Sequence, residues 1–234
     1  MAAGDISNNL LLKLRSLVDE TSAGFFTDAQ LFQYLSSSQN LSATKLLSKQ
    51  NGLKLVRGND FEIETLKPLI KKETITISSN SNSISLSSLT DIIEVYAVDI
   101  YNATAGVTLP LTKIGLSELR KRTGNSYTSH RFDATTNLGS VYYAVYQGNI
   151  LTSFVNGTFP YNSTAFTNAA LNRMDVYYYA QPTALSTTID PALPPDTYEA
   201  IILYGLYFAL TQDKDSQRAE LAYNSAEKLI SNLI

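Results

Sequence analysis

Residue types that commonly carry out catalysis are scarce in this sequence. His130 is the only histidine and cysteine is absent, so we expect no thiolate metal site, cysteine nucleophile or histidine-rich metal centre. A serine–histidine–aspartate triad would have to use His130, which stands in a polar run and is predicted to be a solvated loop residue. No phosphate-binding glycine motif of the GxxxxGK(S/T) or GxGxxG type occurs.

Two pairs of carboxylates lie close together along the chain. Asp91 with Glu94, and Asp213 with Asp215, could in principle act as the acid and the base of a hydrolase. Asp91 is better explained as the start of a strand, and Asp213–Asp215 as a turn between helices that lacks the spacing of a calcium loop. We therefore predict that the protein is not an enzyme and binds no cofactor or metal.

One basic cluster, Arg120–Lys121–Arg122, could contact DNA phosphates or an acidic partner, or could end a short helix. The chain of 234 residues has 18 basic and 21 acidic side chains, a net charge of −3. This balance argues against a protein that wraps nucleic acid electrostatically. No apolar run approaches the roughly 18 residues of a membrane span, and Met1–Asn9 lacks the features of a secretory signal, so we expect cytoplasmic synthesis and no membrane association.

Hydrophobic periodicity divides the chain into three parts. Residues 1–72 have apolar side chains at helical spacing, and residues 73–181 alternate as strands do. Residues 182–234 begin with a proline-rich, extended linker and continue as two helices. The predicted fold class is α+β, in which a helical bundle built from both termini is interrupted by an inserted antiparallel β region.

Local signals set the expected boundaries of the helices. Asp5 or Ser7 is a candidate cap for the first helix, and Thr27 for the second. A third helix is predicted over Asn40–Lys49, ended by the turn dipeptide Asn51-Gly52. Pro195 suits the first turn of a helix, where its missing N–H costs nothing.

The strand region carries its own local signals. Residues 140–155 are predicted to form a hairpin that turns at Gly148-Asn149, and Val176–Tyr179 to form a last strand. Residues 117–122 are expected to form one or two helical turns within a loop.

The segment Tyr198–Leu210 is apolar on nearly every face and too short to cross a membrane. It is predicted to be buried either by the other helices of its own chain or between neighbouring copies. The candidate residues for contact with another subunit or a portal protein are Tyr198, Ile201, Ile202, Leu203, Leu206 and Tyr207.

Tyrosines recur in the strand region, at Tyr142, Tyr143, Tyr146 and Tyr177–Tyr179. Such residues could form a sugar-stacking surface, or could fill the core and interfaces. The alternative functional hypothesis is therefore a carbohydrate-binding β-sandwich module of an adhesin or tail. A tail hydrolase is a third class, and it would require two facing carboxylates.

Four stretches resemble the head-to-tail adaptor, or connector ring, proteins of tailed bacteriophages, especially the podovirus type. They are Leu17–Glu20 with the following Phe25–Leu35, which contains the pattern T-D-x-x-L; Tyr142–Leu151; Val176–Pro182; and the proline-led Leu193–Leu206. The leucine–proline that the family has before its second β segment is missing at Ser88–Thr90. The Asn- and Ser-rich composition suggests a phage of a low-GC host, such as a crAss-like phage.

The resemblance implies a structural virion protein that forms a twelve-fold homo-oligomeric ring between the portal protein and the tail. Its partners would be the portal, further tail or ring proteins, and genomic DNA that passes without sequence-specific binding. The protein would lie in the neck or tail of the virion after assembly in the host cytoplasm. An acidic ring lining the exit channel would let DNA slide during ejection, because phosphates find few counter-charges there.

The net charge leads to a first prediction, that the basic cluster is not a general DNA-binding site. A gel-shift experiment with linear duplex DNA at low salt should show no binding tighter than about the micromolar range, because few basic side chains are available to release counterions. The control is the variant with Arg120, Lys121 and Arg122 all changed to alanine. Tight binding by the unaltered chain that this variant loses would contradict the prediction.

Overall fold

The structure is a computed structural model, which describes residues 3–19, 24–57, 61–77, 83–102, 107–119, 142–152 and 173–233. The chain divides into a helical unit, Met1–Leu69 with Gln181–Ile234, and a β unit, Ile70–Ala180. Helices at both ends and an inserted, mainly antiparallel β region confirm the predicted α+β fold class. The basic cluster Arg120–Arg122 and His130 lie outside the described residues.

The helical unit is built on helices α1 (Asp5–Leu17), α2 (Asp28–Arg57), α3 (Tyr198–Gln212) and α4 (Ser216–Asn232), with 3-10 turns at Glu64–Leu69 and Pro195–Thr197. The predicted cap of α2 is confirmed: the Thr27 N–H donates to Gln30 Oε1 at 2.9 Å, and the Gln30 N–H donates to Thr27 Oγ1 at 3.3 Å. This reciprocal pair is a capping box. Pro195 occupies the first position of the turn that leads into α3, as predicted.

Helix α2 corrects the prediction of a separate third helix, because it runs unbroken for 30 residues through Asn51-Gly52. Its apolar positions stay buried well beyond the first turns, at Leu46 and Leu47. Gln50 is also fully buried, and its Oε1 accepts the backbone N–H of Ile63 at 2.8 Å. Tertiary contacts of this kind outweigh the cost of about 1 kcal/mol for a glycine inside a helix.

Helix α3 is buried mainly by its own chain. Ile201, Tyr204 and Ala209 are fully enclosed, and helices α1, α2 and α4 all contact α3. At Gly205 an added Cβ would lie 3.2 Å from Leu14 Cδ2 and 3.4 Å from Leu35 Cδ2, so α1 and α2 approach the helix closely at this point. The helices of the protomer thus account for most of the apolar surface of α3.

The proline-rich segment before α3 is ordered and extended, as predicted, but it is an integral part of the helical unit. Leu185 and Leu193 are buried. Two side chains of α2 satisfy its backbone: Ser36 Oγ accepts the Leu185 N–H at 2.9 Å, and Gln39 Oε1 accepts the Ala192 N–H at 2.7 Å. Gln39 Nε2 also donates to the Thr183 carbonyl at 3.2 Å. The segment therefore packs along α2 as an irregular layer.

The cap of α1 differs from the prediction, which named Asp5 or Ser7. The capping group is Asp190, whose carboxylate accepts the backbone N–H groups of Gly4 at 3.1 Å, Ile6 at 3.0 Å and Ser7 at 3.0 Å. The hydrogen bond from Ser7 is the main cause that holds the pKa of Asp190 below its ordinary value, and those from Gly4 and Ile6 add to it. A carboxylate at the positive end of a helix is stabilising, and here it joins the N-terminal helix to a segment more than 180 residues away.

The described residues of the β unit form two four-stranded sheets, with strand orders β1-β8-β3-β4 and β2-β7-β6-β5. The strands are β1 (Ile70–Thr76), β2 (Ser83–Ser85), β3 (Ile92–Asn102), β4 (Val107–Pro110), β5 (Thr112–Lys113), β6 (Tyr142–Tyr146), β7 (Asn149–Thr152) and β8 (Arg173–Ala180). All paired strands are antiparallel except β5 and β6, which are parallel. Residues 116–119 form a short helical turn within the predicted loop.

Both sheets contribute to one core. Val98, Ile100 and Val176 come from the first sheet, and Tyr143 and Ile150 from the second, and all belong to the same buried cluster. The β unit is therefore a sandwich of two sheets packed face to face.

The hairpin of β6 and β7 is present, but its turn is one residue earlier than predicted. Gln147 and Gly148 have φ values of 47° and 71°, whereas Asn149 already pairs with Tyr146. Two successive positive φ angles define a type I′ turn, which matches the twist of the flanking strands. The asparagine contributes from the strand, donating its Nδ2 to the Gln147 carbonyl at 2.9 Å.

The cap of α1 leads to a prediction about Gly4. An alanine Cβ at this position would lie 1.9 Å from the Thr187 carbonyl oxygen, and φ there is 87°. Gly4→Ala should therefore lower the free energy of unfolding by about 1–3 kcal/mol in urea denaturation of the full chain. The matched control is Gly52→Ala, where the space is open and a helical alanine should stabilise by about 0.5–1 kcal/mol. Equal effects of the two changes would contradict the proposed role of the Gly4 contact.

Candidate interaction surface

The six predicted contact residues of α3 fall into two groups. Ile201, Ile202 and Leu206 lie in the core of the protomer, whereas Tyr198, Leu203 and Tyr207 are half-buried. Only the second group is within reach of another molecule while the bundle stays folded. A role for these residues in contacts between subunits or with a portal remains a prediction.

Tyr207 lines a groove between α3 and α4 with a volume of about 300 Å³. The groove is formed by Tyr207, Thr211, Ala219 and Tyr223, with Lys214, Ser216 and Glu220 also lining it. The ring centroids of Tyr207 and Tyr223 are 5.2 Å apart. Protein–protein contact sites are enriched in aromatic side chains at their core and have a polar rim. We refer to these seven residues as the aromatic groove.

A polar network beneath the aromatic groove fixes the position of Tyr223. Lys45 Nζ of α2 lies 2.7 Å from Glu227 Oε1 of α4, and 2.9 Å from the Tyr223 hydroxyl. The Tyr204 hydroxyl of α3 donates to the same Glu227 oxygen at 2.8 Å. Three helices are thereby joined through one carboxylate, and the ring of Tyr223 is held between Lys45 and Tyr207.

The electrostatics of this network keep both charges in place. Burial raises the pKa of Glu227, but hydrogen bonds from Lys45, Tyr204 and Tyr223 outweigh it, so the net pKa lies below its ordinary value. The hydrogen bond to Glu227 is the main cause that raises the pKa of Lys45. Burial also raises the pKa of the Tyr204 hydroxyl. None of these groups changes charge near neutral pH, which suits a structural role better than proton transfer.

Three of the four carboxylates considered for hydrolysis, Asp91, Glu94 and Asp215, pair with cations or with backbone. Asp91 accepts from Lys71 Nζ at 2.6 Å, and this bond is the main cause that lowers the pKa of Asp91. Glu94 pairs with Lys113 at 3.1 Å. Asp215 is the N-cap of α4, as its Oδ1 accepts the Arg218 N–H at 3.2 Å. Within the described ranges, no group of three or more His, Cys, Asp or Glu residues could hold a metal ion.

Three of the six tyrosines considered for sugar stacking are core residues, and Tyr146 is 41% exposed. Tyr143, Tyr178 and Tyr179 are buried, and burial is the main cause that raises the pKa of Tyr178 to about 12. Tyr177 is partly covered by Lys72, whose Nζ lies 5.3 Å from its ring centroid. This arrangement favours the core role over a row of sugar-stacking rings.

A second pocket, of about 460 Å³, lies in the β unit. No sequence pattern predicted a binding site there. Leu86, Val95 and Val145 provide apolar contacts, and Lys113 and Asn149 provide polar ones. The named lining residues of this pocket include no aromatic side chain, so it lacks the stacking platform of a typical sugar site.

The architecture defines a class of α+β protein whose chain ends build a helical unit, whose middle forms an inserted β-sandwich, and which carries an aromatic groove on the helices. The sequence matches the SU10 adaptor protein family over residues 4–233, and the chain belongs to that family. The resemblance to phage adaptor proteins is confirmed at this level, and the protein is a structural adaptor of a bacteriophage. No match was found among curated proteins. Across the described helices, none has the length and apolar content needed to cross a membrane.

The network beneath the groove leads to a prediction about Glu227. Glu227→Gln should lower the free energy of unfolding by about 1–2 kcal/mol at neutral pH, because the charge-assisted bond from Lys45 is lost. The pKa of Glu227 is lower in the folded chain than in the unfolded chain. Its contribution is therefore present above the unfolded pKa of about 4.3 and is lost as the pH falls through the folded pKa.

Urea denaturation across a pH series measures this effect. The difference between the unaltered chain and Glu227→Gln should shrink below about pH 4. The control Tyr204→Phe keeps the Lys45–Glu227 pair and should retain most of the pH dependence. A difference that grows in acid would show that Glu227 is not stabilised as a carboxylate.

Proposed function

We propose that this phage adaptor forms a closed homo-oligomeric ring of twelve copies that joins the portal to the tail of a podovirus-type phage, with a crAss-like phage as the specific group. Membership of an adaptor family over nearly the whole chain is the observation that carries the proposal. The aromatic groove supports it, because a folded protomer leaves Tyr207 and Tyr223 only half-buried. Contact with a neighbouring protein would complete their burial.

The partners follow from this placement. They are neighbouring copies, the portal protein, further tail or ring proteins, and genomic DNA that passes through the exit channel without sequence-specific binding. The net charge of −3 supports a lining that does not retain DNA. The protein would reside in the neck or tail of the virion and assemble in the host cytoplasm.

The role is structural rather than catalytic. Of the candidate hydrolytic carboxylates, Asp91 and Glu94 are held by Lys71 and Lys113, and Asp215 caps α4, so neither pair keeps both members free. The carbohydrate-binding alternative gains support from the β-sandwich itself, but three of the six tyrosines on which it depended are buried. The observations therefore favour the adaptor.

Electron microscopy of the purified full chain, alone and mixed with purified portal protein, tests the proposal. Rings in either sample, with portal particles carrying an added ring at one end, are the expected result. A chain that stays monomeric with the portal at micromolar concentration, and binds glycans on an array, would overturn the adaptor role in favour of the alternative.

Two substitutions on α3 separate folding from assembly. Ile202→Asp should unfold the protomer, because it buries an unpaired charge at a cost of several kcal/mol, roughly 2–7. Tyr207→Asp should leave a folded monomer, because this side chain is half-buried, yet abolish rings. Circular dichroism and electron microscopy measure the two properties. Normal rings from Tyr207→Asp would argue against a contact at the aromatic groove.

A further inference from the structure

A second apolar feature lies on the helical unit, separate from the aromatic groove. Leu17 at the end of α1 is 40% exposed and Leu221 of α4 is 67% exposed. Arg218 links them: its Nη2 donates to the Leu17 carbonyl at 3.1 Å, and Leu221 follows one turn later on the same helix. We call Leu17 and Leu221, with Arg218 between them, the leucine knob.

The leucine knob and the aromatic groove lie on different flanks of α4. With about 100° between successive residues of a helix, Leu221 lies about 150° around the axis from the mean direction of Ser216, Ala219, Glu220 and Tyr223. Those four residues all line the groove. Helix α4 thus presents an exposed leucine on one side and the groove nearly opposite.

We propose that the leucine knob of one copy docks in the aromatic groove of the next copy, which rests on the proposed function as a ring. The occupant of the groove is a second copy of this chain, because the chain itself carries the complementary feature. Charge is also complementary: Lys214 and Glu220 line the groove, while Asp19 and Arg218 accompany the knob. Docking would oppose Arg218 to Glu220 and Asp19 to Lys214.

The geometry sets the kind of assembly. A contact between two unlike surfaces is heterologous, and its repetition either closes a ring or continues as a filament. A two-fold dimer would instead require the knob and the groove to lie within one self-complementary patch, so that each knob meets the groove of the other copy. Unlike surfaces on nearly opposite flanks of one helix therefore suit a ring of many copies.

Crosslinking with engineered cysteines tests the contact directly, because the chain contains no cysteine of its own. Thr211→Cys places a thiol in the groove and Leu221→Cys places one on the knob; both positions are exposed in the protomer. A disulfide requires the two Cα atoms to approach within about 7 Å. Under conditions in which electron microscopy shows rings, oxidation of the two variants mixed together should give a covalent dimer. Either variant alone should give none.

Two further samples sharpen the test. A chain with both cysteines should give a ladder of covalent oligomers, because each copy then links to the next in both directions. The matched control mixes Thr211→Cys with Val56→Cys, a position that is 83% exposed on α2 but belongs to neither feature, and should give no dimer.

The outcomes distinguish this inference from the ring itself. A covalent dimer from Thr211→Cys alone or Leu221→Cys alone would show a like-with-like contact and overturn the inference. Rings in which the mixed variants fail to crosslink would also overturn it, while leaving the proposed ring intact. Absence of rings from the unaltered chain, with or without portal, would remove both proposals.

Discussion

The burial of α3 is the constraint on which the helical unit depends. A helix that is apolar on almost every face needs neighbours all round, and the chain supplies them from both of its ends as α1, α2 and α4. The polypeptide must therefore leave the β unit close to the point where it entered that unit. Strands β1 and β8 meet this condition, because Ile70 at the start of the unit pairs with Tyr179 at its end. An insertion closed by an antiparallel pair adds little strain to the fold that it interrupts.

The polar, weakly charged composition has a structural explanation in the irregular layer beside α2. A proline-rich segment cannot satisfy its backbone within a sheet, and buried backbone groups must still find partners. Ser7 Oγ donates to the Ile189 carbonyl, and Ser36 Oγ accepts the Leu185 N–H. Gln39 bonds both the Thr183 carbonyl and the Ala192 N–H. Neutral polar side chains can be buried for this purpose at a lower cost than charged ones. The 17% of charged residues is thus compatible with a well-connected bundle.

Periodic and local signals in the sequence predicted much of this fold, whereas contacts between distant segments could not be found in it. The two C-terminal helices, the cap at Thr27 and Pro195 at the approach to α3 depend on neighbours within a few residues. Asp190 as the cap of α1 depends on the folded path of the chain. The length of α2 likewise depends on Gln50 and Ile63, which no local pattern relates. The aromatic groove was predicted in part. The sequence named Tyr207 as a candidate contact residue, but its approach to Tyr223 depends on how the turn joins α3 to α4.

Rigidity before assembly gives the network around Glu227 its importance. Ordering a flexible side chain on binding costs about 0.5–1.5 kcal/mol. An aromatic side chain that is already fixed in the free protein avoids this cost when a partner binds. Tyr223 is fixed in this way, by a hydrogen bond with Lys45 and by the rings of Tyr204 and Tyr207. The pKa of Glu227 is lowered and that of Lys45 is raised, so both remain charged throughout the neutral range. The charges that hold Tyr223 are therefore constant over that range. The proposed ring would require such constancy, because a small change at each of many identical contacts would accumulate around a closed assembly.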